Sequence, residues 1–145
     1  MAPTAKLYGK MFESLFNAEI NWAAHNIKAM LCTSAYTPDQ DTHKYRSSVT
    51  NEVSGPGYTA GGVLLGSKSS NYTAGTNTFT LDASDTQWPD STLTGRYLVI
   101  YDDTPSTAAT KPLIGYVDFG ADVSTTSGVF TSVWDAAGIL AFTTP

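Results

Sequence analysis

The strongest structural signal in the chain is the stretch Arg96-Tyr97-Leu98-Val99-Ile100-Tyr101. From Tyr97 to Tyr101 the large side chains follow one another without a polar break. Because successive side chains of a strand point to opposite faces of a sheet, such a strand needs both faces covered. We therefore expect residues 96–101 to form a central strand of a buried sheet.

The second strong strand signal is Leu113-Ile114-Gly115-Tyr116-Val117-Asp118-Phe119. Alternation places Leu113, Val117 and Phe119 on one face with Gly115, and Asp118 on the other. The intervening Asp103-Thr104-Pro105-Ser106-Thr107 has the composition of an exposed loop. This loop links the two strongest predicted strands.

Shorter β-rich runs surround this pair, at spacings and with turn residues typical of an antiparallel sandwich or barrel. The Gly-rich stretch 55–62 is read as turn backbone. We predict one β-sandwich domain spanning residues 1–145. The further strands are expected at residues 26–33, 63–65, 69–73, 78–81, 129–134 and 139–142.

Two short helices are predicted outside the sheets. In residues 3–17, Leu7, Met11 and Leu15 recur at helical spacing, so residues 1–18 are expected to form an N-terminal helix or arm. This helix either closes one end of the core or docks on a neighbouring subunit. Thr37-Pro38-Asp39-Gln40 has the residue order of a capping box and predicts an inserted helix to about residue 46.

The composition narrows the classes of function. Only 14% of the 145 residues are charged and the net charge is −5, which argues against nucleic-acid binding through a basic surface. The excess acid lies in residues 71–145, with two basic against eight acidic side chains. The slightly basic residues 1–70 are either a chance distribution or a side that faces an acidic partner. No apolar run of membrane-spanning length and no signal peptide is found, so synthesis in the cytoplasm is expected.

The sequence carries no recognised catalytic or cofactor motif. Cys32 is the single cysteine and is expected to be a buried apolar residue. His25 and His43 are far apart in sequence and are expected to make local hydrogen bonds. Phosphate-binding loops and the GxSxG nucleophile motif are absent. We therefore predict a protein that is not an enzyme and needs no cofactor.

One acidic group is the weak exception. Asp102 and Asp103 end the predicted central strand, and Asp118 and Asp122 lie at the end of the next. Meeting at one rim, these carboxylates would suit Ca²⁺ or act as the paired acids of a glycosidase. The alternative is that aspartate is simply common at strand ends and turns.

Aromatic residues suggest surfaces for contact. Trp88 precedes Pro89 in a turn-like stretch and is the tryptophan most plausibly exposed, although packing is the favoured role for it. An exposed tryptophan would be compatible with a carbohydrate-binding module, an alternative that is less favoured than a structural role. The residues proposed for an interface are Lys6, Tyr8, Lys10, Tyr36, Tyr45, Tyr58 and Trp88.

Several long stretches together resemble a family of small proteins encoded among the structural genes of tailed bacteriophages. The resemblance runs from about Leu7 to Phe142. Its main segments are residues 27–43, 49–62, 96–101 and 112–120.

The resemblance implies a virion structural protein without catalytic residues. Small β proteins of such virions commonly decorate or cement the head, which implies the major capsid protein and further copies of this chain, as a possible trimer, as partners. It also implies a place on the capsid surface. A neck, tail or fibre-adaptor protein is the alternative, and neither nucleic acid, membrane nor host glycan is an expected partner.

Overall fold

The computed structural model describes residues 2–145, so Met1, the first residue of the predicted domain and arm, lies outside the described residues. The chain is mainly β, with 42% of residues in strands and 8% in helices. The strands are β1 (Thr4–Leu7), β2 (Ile27–Cys32), β3 (Val63–Leu64), β4 (Ser69–Thr73), β5 (Thr78–Asp82), β6 (Thr86–Ser91), β7 (Thr94–Asp102), β8 (Leu113–Ser124), β9 (Gly128–Ser132) and β10 (Leu140–Thr143). The helices are α1 (Met11–Phe16) and two 3-10 turns, Arg46–Ser48 and Ala108–Thr110.

The largest sheet has five strands in the order β1-β8-β7-β2-β3, and every pairing in it is antiparallel. β7 occupies the middle, with Leu98 opposite Leu31 of β2 and Val117 of β8. The prediction of a central strand at residues 96–101 is confirmed. A three-stranded sheet, β10-β5-β4, and a two-stranded sheet, β6-β9, complete the fold.

Both faces of the five-stranded sheet are covered, which explains the uninterrupted apolar run of β7. On one face, Ile27, Leu31 and Leu98 pack in a core with Trp22, Trp88 and Phe130. On the other face, the side chains of a second core come from the sheet and from the segments that follow β1 and β2; they are Tyr8, Met30, Cys32, Tyr36, Val49, Val99, Tyr101, Leu113 and Tyr116. This arrangement confirms the sandwich-like fold.

The face assigned to Leu113 is corrected by this packing. Leu113 joins the second core, whereas Val117 and Phe119 pack against the first. The β7–β8 register shifts between Ile100 and Tyr101, and such an irregularity reverses the side on which later residues project.

The predicted helix at residues 3–17 is only half right. Residues Thr4–Leu7 form β1, which pairs with β8, and the helix starts at Met11. The pairing satisfies backbone groups along β8 that would otherwise be exposed at an edge. Leu7 and Met11 therefore belong to different elements and do not form one helical face.

The inserted helix predicted for residues 37–46 is wrong. The Asp39 carboxylate accepts hydrogen bonds from the backbone N–H groups of Asp41 and Thr42, which makes a local turn. Gln40 does not close a capping box, because its side-chain amide donates to the Leu7 carbonyl at 2.7 Å. The segment covers the second core and places Tyr36 against Tyr8, with 2.8 Å between their hydroxyl oxygens.

The stretch around Trp88 is a strand and not a turn. β6 pairs with β9, with Trp88 opposite Phe130, and the register shifts between Trp88 and Ser91. Proline is tolerated in a sheet at such irregularities, which explains how Pro89 lies inside β6. Asp90 takes a positive φ of 49° at the same place.

The burial of Cys32 gives a prediction about its reactivity. The pKa of the thiol is raised to about 12, chiefly by burial and also by the nearby charge of Glu52, while Arg46 acts in the opposite direction. Since the thiolate is the reactive form, Cys32 of the folded protein should react with Ellman's reagent at pH 8 far more slowly than the unfolded chain. Equal rates with and without guanidinium chloride would contradict the burial of this side chain.

Candidate contact surfaces

The four aspartates singled out from the sequence do not meet at one rim. Asp102 ends β7, whereas Asp118 pairs with Tyr97 near the start of that strand. Antiparallel pairing places residues far along β8 beside the beginning of β7, so Asp118 and Asp122 are carried away from Asp102 and Asp103. Within residues 2–145 there is no group of three or more His, Cys, Asp or Glu side chains able to hold a metal ion. The Ca²⁺ and paired-acid interpretations are corrected on this geometry.

These acidic groups are instead engaged with neighbouring side chains. Asp103 contacts Lys28 at 2.7 Å and Lys111 at 2.5 Å. Burial alone would raise the pKa of Asp103, but the hydrogen bonds from the two lysines outweigh it and lower the pKa. Asp118 is held by Arg96 at 3.1 Å in the same way.

The buried carboxylate of Asp102 has a different set of partners. His25 Nδ1 lies 2.6 Å from one carboxylate oxygen, and the Thr104 N–H donates to the other at 3.0 Å. His25 also accepts a hydrogen bond from Lys68 through its backbone carbonyl. These hydrogen bonds join the start of β2 to the end of β7. They agree with the expectation that His25 makes local hydrogen bonds.

The residues predicted for an interface differ in their exposure to solvent. The side chains of Tyr8, Tyr36 and Trp88 lie in the cores, at most 1% exposed, so their proposed part in an interface is corrected. Tyr45 and Tyr58 are half-buried, and their hydroxyls donate to Glu19 and Glu52.

The two predicted lysines remain at the surface. Lys6 is exposed on β1, and Lys10 is partly exposed and paired with Glu13 at 2.9 Å. The carbohydrate-binding interpretation loses its basis, because the Trp88 ring is enclosed by Tyr58 and Phe130.

An apolar groove of about 630 Å³ lies between the first face of the five-stranded sheet and the segment after β9. Ala5, Leu7, Val117 and Phe119 line one side of it. The remaining lining is mostly apolar and includes Trp22, Leu81, Ile100, Ile114, Val133, Trp134, Ile139, Leu140 and Ala141. We call this cavity the β1 groove.

A second apolar cavity, of about 320 Å³, lies between α1 and the three-stranded sheet. It shares part of its lining with the β1 groove, namely Trp22, Leu81, Ile114 and Leu140. The two cavities therefore follow one another along the junction between the large and the three-stranded sheet.

The outer side of α1 is an exposed aromatic face. Met11 and Ser14 point inward, while Phe12, Leu15 and Phe16 are 39%, 44% and 86% exposed. Phe12 contacts Phe142 of β10, with 5.7 Å between ring centroids. Large apolar side chains grouped at a surface mark sites of contact with other molecules more often than a scattered single residue does.

Sequence reasoning missed the β1 groove because its lining comes from distant parts of the chain. Ala5, Val117 and Val133 are brought together only by the pairing of β1 with β8 and the return of the chain after β9. Residues 139–142 form a continuous apolar run that predicts a strand, and nothing in that run indicates that it lines a groove. Val133, 71% exposed, could not be told from a buried strand residue by pattern.

Comparison of the chain with protein-family models, with curated proteins and with solved structures found no match in any of the three. Among the helices in residues 2–145, none has the length and apolar character needed to cross a bilayer.

Proposed function

We propose that this chain is a structural protein of a bacteriophage virion, and specifically a decoration protein that binds the outer surface of the head and stabilises the shell by non-covalent contacts. Its partners would be the major capsid protein and further copies of the chain, as a trimer. The observation that carries the proposal is the apolar β1 groove, which continues into the second cavity beside α1. The sequence resemblance to small phage virion proteins supports the same function.

The architecture supports a role in binding without catalysis. A shell component must hold a fixed shape while it contacts many equivalent sites, and a sheet packed on both faces is a rigid frame. The acidic groups that could have suggested chemistry, Asp102, Asp103 and Asp118, are bound to His25, lysines or Arg96. Apolar surface is left for contact on the groove side.

The location and copy number of the protein in purified particles test this proposal. A stained gel calibrated with the purified chain, together with cryo-electron microscopy, should show on the order of hundreds of copies spread over the head. About three to twelve copies at one vertex or along the tail would instead indicate the neck, tail or fibre-adaptor alternative. Absence from the particle would reject both.

A further inference from the structure

We infer that the β1 groove binds an extended segment of a partner protein, which adds a strand to the outer edge of β1 and lays alternate apolar side chains into the groove. This inference rests on the proposed function, because it names the chemistry by which a shell protein would be held. The partner segment needs a β conformation and apolar residues at every second position.

The backbone of β1 defines what can bind beside it. The Tyr8 N–H donates to the Ile114 carbonyl, so Tyr8 belongs to a pair bonded toward β8. Alternation along an antiparallel strand then turns the N–H and C=O groups of Leu7 and Ala5 outward. The Leu7 carbonyl accepts from the Gln40 side chain at 2.7 Å, which agrees with this direction.

The remaining outward groups call for an extended peptide. They are the N–H and C=O of Ala5 and the N–H of Leu7, at the edge of a sheet where the next strand would lie. These three groups lie at strand spacing along one edge, which an extended peptide matches and a helix does not. An added strand would satisfy the row by the same geometry that joins β1 to β8.

The side chains beneath this edge supply the second half of the recognition. Ala5 lies opposite Val117 and Leu7 opposite Gly115, and all four line the groove. A strand placed beside β1 would have every second side chain on this apolar side.

The other face of β1 adds a preference of charge. Lys6 alternates with Ala5, so its side chain projects to the other face of the sheet, where it is exposed and close enough to Asp118 of β8 to lower the pKa of that carboxyl. A carboxylate on the corresponding face of an added strand would lie directly across from it, and opposite charges in such cross-strand pairs are stabilising. The expected segment therefore alternates apolar residues with polar ones that include an acid.

A second copy of the chain is a poorer occupant. Two β1 edges facing each other would have only the groups around Ala5 and Leu7 to exchange, because the Leu7 carbonyl is occupied by Gln40 and Pro3 lacks an N–H. A longer segment from another protein is not restricted to β1 and can continue along the groove. We therefore assign the site to a partner strand.

Selection from a library of random twelve-residue peptides, displayed against the immobilised full chain, tests the assignment. Enriched peptides should alternate apolar and polar residues, and the best should protect the Ala5 and Leu7 amides from hydrogen exchange. Val133→Asp introduces a charge into the groove at an exposed position and should weaken binding about tenfold or more. Ala5→Pro removes an outward N–H and should have a similar effect.

Val129→Asp is the matched control, because Val129 is 53% exposed on β9 but does not line the groove. It should leave affinity within about twofold, with each variant checked for native circular dichroism. No enrichment, or peptides that bind Val133→Asp and Val129→Asp equally, would overturn the assignment, as would dimerisation of the chain through the groove. The particle experiment is independent, so binding by a chain that is absent from virions would reject the proposed function and leave the groove intact.

Discussion

Replacing Gly62 by alanine is expected to be among the most damaging single changes in this chain. Gly62 has a φ of +80°, and a Cβ built on it would lie 1.9 Å from the Ala29 carbonyl oxygen and 2.7 Å from the Met30 Cα. The left-handed backbone costs about 1–2 kcal/mol for a residue with a side chain. Displacing the backbone of β2 adds roughly 1–3 kcal/mol or more, as overpacking does in cores.

The expected loss of about 2–5 kcal/mol is a large part of the roughly 5–15 kcal/mol that stabilises a domain. Urea unfolding followed by tryptophan fluorescence measures it. Gly66→Ala is the control, since no atom lies within 4 Å of a Cβ built at Gly66, and it should change stability by less than about 1 kcal/mol. Equal unfolding midpoints for the two variants would show that the turn does not press against β2 as described.

Gly62 also illustrates how far the sequence could be read in advance. Turn chemistry at residues 55–62 was recognisable from glycine and proline alone, but the contact with β2 was not, because it depends on the pairing of β3 with β2. Residues 96–101 were predictable for the opposite reason. A strand that is buried on both faces consists of apolar residues almost throughout, so its composition alone indicates its environment.

The N-terminal segment could not be predicted as well. The spacing of Leu7, Met11 and Leu15 is helical, but Leu7 lies in a strand because the edge of β8 offers backbone partners to residues 4–7. Local propensity is weak for so short an element, and tertiary pairing overrides it. The same holds at residues 37–46, where the Gln40 side chain bonds to Leu7 in place of the backbone of its own segment.

The candidate sites differ in what the sequence could reveal. The separation of Asp102 from Asp118 follows from the antiparallel pairing of β7 with β8, so a register for these two strands would have shown that the four aspartates do not meet. The β1 groove had no comparable signal. It is a gap between sheets, and its volume depends on how the three-stranded sheet sits over Ile114 and Trp22.

Trp88→Ala should destabilise the protein by about 3–5 kcal/mol, the usual cost of removing a large buried aromatic side chain. The ring is 1% exposed, stacks on Tyr58 with 6.2 Å between centroids, and meets Phe130 edge-on at 5.8 Å. Its loss would leave a cavity between β6, β9 and the loop that carries Tyr58. Chemical denaturation of the variant and the wild type gives the difference directly.

Trp88→Phe keeps an aromatic ring at this position but removes the indole N–H group. Trp88 Nε1 has no hydrogen-bond acceptor within residues 2–145, so removing this N–H forfeits no bond, and the cost should fall to about 1–2 kcal/mol for the volume lost.

Trp134 is a contrasting site, because it is partly exposed and its Nε1 donates to the Ser84 carbonyl at 3.0 Å. Trp134→Ala should therefore cost less than Trp88→Ala, and the reverse order would contradict the core assigned to Trp88. The Trp88 ring is inaccessible in the folded chain. Any loss of peptide binding at the β1 groove in Trp88→Ala should therefore follow the fraction of unfolded protein, and stabilising that variant with an osmolyte should restore the binding.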